Sequence, residues 1–135
     1  MAELCVPSSM EYHAEVLRFV EDFARHAGAD EPRCMKLLIA ADELFTNIAQ
    51  YGYPDRAHGT SEISAEETDG VIILTFADDG IPYNPLLKPD PDVTLSAEER
   101  KIGGLGIYMV KKSMDAMEYV HEDGKNKLTL KLRLR

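Results

Sequence analysis

Three small groups of residues in this 135-residue chain have types and spacings that could do chemistry. The first is Glu43 and Asn47. At i and i+4 on a helix they are neighbours on one face. They pair a carboxylate that can take a proton with an amide oxygen that can ligate a hard cation such as Mg2+. The plain alternative is a solvated polar face, and Lys36, in line with the pair, speaks for it. Against it stand Ala40, small enough to leave room for a ligand, and Ile39, an apolar residue outside the main stripe that suggests a partly covered face. The second group is Asp78-Asp79-Gly80-Ile81-Pro82, at the end of an apolar run. Asp and Gly there fit ordinary turn chemistry. A carboxylate at a strand end can equally accept a hydrogen bond from an exocyclic amine, with Gly80 letting a flat ring approach the backbone. The third is Gly103-Gly104-Leu105-Gly106. Glycines at a helix start expose backbone N–H groups where the helix dipole favours an anion. No Lys-Ser/Thr follows, and Met109 stands where a dinucleotide fingerprint has its last glycine, so neither common phosphate motif is present. A hinge is the alternative.

These groups need elements to hold them. Leu4 to Pro7 fits a short first strand, and Ser8 or Ser9 an N-cap for an amphipathic helix to about Ala27, with Val16, Phe19, Val20 and Phe23 on its apolar face. Asp30 caps a second helix, with Pro32 in its first turn. Its stripe is Cys34, Leu37, Leu38, Ala41, Leu44, Phe45 and Ile48, and it breaks at Tyr51-Gly52-Tyr53-Pro54. Strands follow at Ser61 to Glu66 and Val71 to Ala77 around a Thr-Asp-Gly turn, the second apolar enough to be central. Pro82, Pro85, Pro89 and Pro91 exclude a long helix between Asp79 and Lys101, although Ser96-Ala-Glu-Glu could start one short turn. The glycine group opens a helix to about Met114. Strands at Glu118 to Glu122 and Lys127 to Leu134 close the chain around Asp123-Gly124. The order is not a βαβ alternation. It predicts an α+β fold, a two-layer α/β sandwich with a mixed, mostly antiparallel sheet and helices on one face.

Composition narrows the class further. The length fits one domain, 1–135. Fifteen Lys and Arg against 24 Asp and Glu give a net charge of −9, which disfavours nucleic acid and anionic membrane surfaces as partners. Two cysteines, Cys5 and Cys34, make no framework, and four histidines show no metal-ligand spacing. No apolar run is long enough to span a bilayer, and the start lacks a signal-peptide pattern. The expectation is a cytoplasmic protein.

In combination, Glu43-x-x-x-Asn47, Asp78-x-Gly80 and Gly104-x-Gly106 stand in the order and spacing of the Bergerat-fold (GHKL) ATPases. Within that superfamily the chain resembles the small anti-sigma factor serine/threonine kinases, above all at Leu37 to Tyr51 and Ile102 to Met114, with Asp115 to Tyr119 and Asn126 to Leu130 following. The resemblance implies a single ATP-binding kinase domain with ATP and Mg2+ as cofactors. Glu43 would be the catalytic base and Asn47 the Mg2+ ligand. Asp78 would read the adenine amine, with Gly80 giving ring clearance, and Gly103, Gly104, Leu105 and Gly106 would form the phosphate cradle. Leu86 to Lys101 would be a lid. It implies a STAS-domain anti-sigma-factor antagonist as substrate and extends to a sigma factor and a second copy of the chain as further partners. Pro82 stands where many members have a second glycine, and Ile102 where some place a basic residue that Arg100 or Lys101 would replace. Those departures keep open the alternative of a nucleotide-gated binding module with little or no transfer, behind the leading kinase reading. A split-off histidine-kinase-like ATPase domain ranks third, since no helical hairpin with a phosphoacceptor histidine is present.

Overall fold

Four segments alternate apolar and polar residues, a fifth is an apolar run, and three repeat their apolar positions at helical spacing, which sets the parts list before any contact is made. The computed structural model describes residues 1–55, 58–87 and 104–135. In chain order these form β1 (Ala2–Pro7), α1 (His13–His26), α2 (Glu31–Tyr51), β2 (Thr60–Thr68), β3 (Val71–Asp78), α3 (Gly104–Ser113), β4 (Ala116–Glu122) and β5 (Lys125–Arg133). Short 3-10 turns cover Met10–Tyr12 and Pro85–Leu87. Residues 88–103, with the expected lid beyond Leu87 and the short turn at Ser96, lie outside the described residues, and Arg100, Lys101 and Ile102 are among them.

The five strands make one sheet in the order β1-β2-β3-β5-β4. Every pairing in it is antiparallel, so the expected mixed sheet resolves to a purely antiparallel one. β3 is its middle strand, as the apolar run implied. Two hairpins fix the register. Asp69 and Gly70 have φ of 53° and 77°, and Asp123 and Gly124 have 52° and 74°. Two consecutive positive φ values match the right-handed strand twist, which Asp-Gly supplies at low cost.

One sheet face is apolar and all three helices contribute to the core built on it. Ile63, Ile72, Leu74, Phe76, Leu128, Leu130 and Leu132 face Val16, Val20, Leu37, Phe45, Ile107 and Val110 in a single cluster. The opposite face, with Glu3, Glu62, Thr75 and Lys127, carries no helix among the described residues. None of the described helices is long and apolar enough to cross a membrane.

Three local expectations change. Ser9, not Ser8, accepts the capping bond, from Glu11 N–H, and it starts the 3-10 turn that precedes α1. Ser8 is buried, bonded to the Tyr53 hydroxyl at 2.9 Å and to the Ser61 hydroxyl at 2.6 Å. On α2, Asp30 caps as expected, accepting from Arg33 N–H at 3.0 Å. Ala40, however, is fully buried in the core and leaves no room for a ligand. The helix is covered from both flanks, by α1 and by α3, so its buried arc is wider than the apolar stripe. Ile39 is 41% exposed, so the described residues do not cover that side.

Phe45, fully buried at the centre of this cluster, tests the packing. Phe45→Ala should destabilise the fold by about 3–5 kcal/mol. In urea unfolding this would lower the midpoint with the slope unchanged.

Candidate functional site

Glu43 and Asn47 lie on α2 where it passes α3. The Asn47 side-chain N–H donates to Glu43 Oε1 at 3.3 Å. That turns the amide oxygen of Asn47 away from the carboxylate and leaves it without a protein partner among the described residues. Gly106, in the first turn of α3, lies directly against Glu43. A Cβ built there would fall 2.1–2.3 Å from the carboxylate atoms of Glu43. The glycine thus admits the carboxylate to the N-terminal end of a helix, where the dipole favours an anion. Gly104 and Leu105 begin the same helix, and Gly103 lies outside the described residues.

The second half of the site is the end of β3. Asp78 is its last residue and only 6% exposed. Its Oδ1 accepts from the Gly80 N–H at 2.9 Å and from the Asn126 side-chain amide at 3.1 Å. Burial pushes this carboxyl above its ordinary value, while the Asn126 amide and the Gly80 N–H pull it back towards the charged form. Asp79, next along, looks the other way. It accepts from the Tyr53 hydroxyl at 2.9 Å and from Thr60 N–H at 3.0 Å, which ties the end of β3 to the start of β2. Burial raises the Tyr53 phenol well above its usual range.

Between the halves is a pocket of about 510 Å3 of empty space, mouth included. Its walls are largely apolar, including Ile48, Phe76 and Leu128, and Asn47 and Asp78 place polar atoms on them. Tyr51 and Tyr83, 59% and 40% exposed, stand on its lining as flat surfaces open to solvent. Apolar walls with a few fixed polar groups suit a planar, nitrogen-rich ring. Among the described residues no group of three His, Cys, Asp or Glu side chains could hold a metal alone. The Asn47 oxygen beside Glu43 fits the partial shell typical of Mg2+, which keeps waters and takes further ligands from phosphates.

Of the residues singled out in the sequence, the structure therefore brings together Glu43, Asn47, Asp78, Gly80 and Gly106. Gly80 has a reason to be glycine besides ring clearance, because a Cβ there would meet the backbone oxygen of Gly52 at 2.6 Å. Two participants were missed. Gly52, which looked like a helix stop, is the other side of that contact. Asn126 is buried in the sheet beside Asp78. Its signal is a polar residue on the inward side of β5, in phase with Leu128, Leu130 and Leu132.

An antiparallel sheet backed by helices, with an acid ending its central strand and a Glu/Asn pair on the facing helix, is consistent with the ATPase-type α+β fold. The family of histidine kinase-like ATPase domains matches residues 6–132, and the chain belongs to that family. It is similar to the serine/threonine-protein kinase BtrW of Bordetella bronchiseptica, with 29% identity over 94 residues, 70% of this chain and 66% of that protein. It is also similar to the serine-protein kinase RsbW of Bacillus cereus, with 26% identity over 133 residues, 96% of this chain and 82% of that protein. Among solved structures, the RsbU and RsbW domains of a Mycobacterium tuberculosis protein share its fold. There the TM-score is 0.68 at 17% identity, over 98% of this chain and 32% of the other.

Asp78→Asn should separate function from stability. The amide oxygen can keep both bonds now made to Oδ1, and the buried charge disappears. Because the folded-state value is raised, the native protein holds this proton more readily than the unfolded chain does. The charge therefore costs most at neutral pH, and that cost fades as pH falls through the raised value. The ligand-free variant should melt at or above the wild-type temperature at pH 7, with the gap closing in acid. A large drop in melting temperature at pH 7 would show the carboxylate to be structural.

Proposed function

We propose that this chain is an ATP- and Mg2+-dependent serine/threonine protein kinase and anti-sigma regulatory factor. Its substrate would be a STAS-domain anti-sigma-factor antagonist in a partner-switching pathway. The observation that carries the reading is the placement of the Glu43 carboxylate against Gly106, beside the pocket that Asn47 and Asp78 line. The names of the BtrW and RsbW relatives support the same reading. A cytoplasmic setting, a sigma factor as second partner and a homodimer belong to the same proposal.

The roles follow from the chemistry of each group. Asp78 accepts from the exocyclic amine of the base, while the apolar walls exclude water from the ring. Asn47 holds Mg2+ through its amide oxygen, and backbone N–H groups from Gly103 to Gly106 receive phosphate oxygens. When bound, ATP supplies the γ-phosphoryl group and Mg2+ offsets its charge. Glu43 accepts the proton of the attacking serine hydroxyl. Transfer of this kind needs mainly positioning and charge stabilisation, which suits a domain this small.

Two variants test the base. Glu43→Gln retains the oxygen that Asn47 bonds and removes the basic group. ADP binding should persist, while label transfer from γ-labelled ATP to a STAS protein should fall roughly 10²–10⁴-fold. Unchanged transfer would leave Glu43 a surface carboxylate, and no label on any STAS partner with intact ATP binding would favour the binding module. Gly106→Ala acts from the other helix. The three atoms nearest the new methyl group all belong to the flexible end of Glu43, which it displaces, and replacing a helical glycine gains up to about 1 kcal/mol. The variant should be at least as stable as wild type in thermal unfolding. Its transfer should be slower by about 10²-fold, because the carboxylate is moved by an ångström or more.

A further inference from the structure

Asn126 occupies the β5 position paired with Asp78 and is 7% exposed. Its side-chain amide is fully used. The nitrogen donates to Asp78 Oδ1 at 3.1 Å and to the Ile81 carbonyl at 2.8 Å, with the Gly80 carbonyl at 3.5 Å. The oxygen accepts from the Tyr83 N–H at 3.1 Å and from the Tyr119 hydroxyl. The Ile81 carbonyl can only accept and the Tyr83 N–H can only donate. The amide therefore has one permitted orientation, set by backbone atoms, and it presents a donor to residue 78.

We propose that Asn126 is a positioning residue that sets the base preference of the pocket by dictating which atom residue 78 turns towards the ligand. The inference rests on the reading of Asp78 as the group that meets the base. Asp78 Oδ1 is consumed by two donors, whereas Oδ2 has no protein partner among the described residues. No fully buried side-chain oxygen or nitrogen in the described structure lacks a partner, so Oδ2 keeps some exposure, and Asp78 is on the lining of the pocket. On this proposal Oδ2 is the atom offered there. The ligand consequently meets an acceptor. A ring edge carrying an amine, as in adenine, pairs with it. A ring edge carrying a carbonyl, as in hypoxanthine, sets oxygen against oxygen and leaves both unsatisfied. Asn126 also lines the pocket but has no hydrogen bond left for the base, because its four bonding directions are already taken.

The control exercised by residue 126 can be reversed with isosteric changes, read as the ratio of ADP to IDP affinity by calorimetry. Wild type should prefer ADP by at least about 10-fold, the scale of one lost hydrogen bond in a desolvated site. In Asp78→Asn, Asn126 and Gly80 still require an oxygen on their side. The new NH2 must therefore face the pocket, and the preference should turn to IDP. Adding Asn126→Asp to that variant replaces the NH2 by a carboxyl O–H, whose single proton goes to the Ile81 carbonyl and whose lone pair faces residue 78. That acceptor should turn the residue 78 amide over, put its oxygen in the pocket and restore the ADP preference. Wild type without any preference would overturn the adenine reading and this inference together. A wild-type preference for ADP with a double variant that still favours IDP would overturn only the inference, by showing that Gly80 alone orients residue 78. A readout on the unaltered protein stands beside the variants. The Asn126 side-chain NH2 signals should exchange slowly with solvent and shift with ADP, and fast exchange would overturn the lock whatever the variants do.

Discussion

Ile81 donates its N–H to the carbonyl of Gly52 at 2.9 Å, and a Cβ on Gly80 would come within 2.6 Å of the same oxygen. This crossing of two backbones joins the C-terminal end of α2 to the end of β3. One element carries Glu43 and Asn47, the other carries Asp78, and their separation across the pocket follows from how closely the two chains pass. A side chain at either glycine would meet main-chain oxygen, since a Cβ at Gly52 would lie 2.7 Å from the Ile48 carbonyl. Backbone cannot swing aside as a side chain can. The spacing of the site is therefore a property of the fold, fixed before any ligand arrives.

Around that crossing the protein keeps an ionisable group where solvent is scarce. Removing a carboxylate from water is costly unless donors compensate it. Here one oxygen is compensated by the protein and the other is reserved. The same economy appears at Asn47, where the amide nitrogen is spent on Glu43 and the oxygen kept open. Under the proposed function, stability given up at these atoms would be recovered on binding, the pattern expected of functional sites in otherwise self-consistent folds.

Local features of the sequence were sufficient for most of the architecture. Asp30 before a periodic run, Asp69-Gly70 and Asp123-Gly124 between alternating runs, and the apolar stretch from Val71 each act through neighbours in the chain, so each could be read in place. The face bearing Glu43 and Asn47 was legible for the same reason. What escaped depends on contacts without a local trace. Ala40 is buried on a helix that packs against both α1 and α3, a breadth of cover that no single-helix stripe reports. Ser8 gives up its cap role for partners 45 and 53 residues away. Asn126 acquires meaning only from the strand register that sets it beside a residue 48 positions earlier.

β5 is held to β3 through paired positions from Val71↔Arg133 to Asp78↔Asn126, whereas β4 is an edge strand with a neighbour on one side only. A change in the length of the β4–β5 hairpin would therefore be taken up by β4. Strand side chains alternate with a period of two, so a one-residue slip exchanges the two faces. Tyr119 would turn outward, Glu118 or Val120 would turn in, and the Asn126 oxygen would lose its phenol donor. A two-residue insertion would preserve the facing. In descendants of this chain, indels at Asp123-Gly124 are thus filtered by parity more than by size.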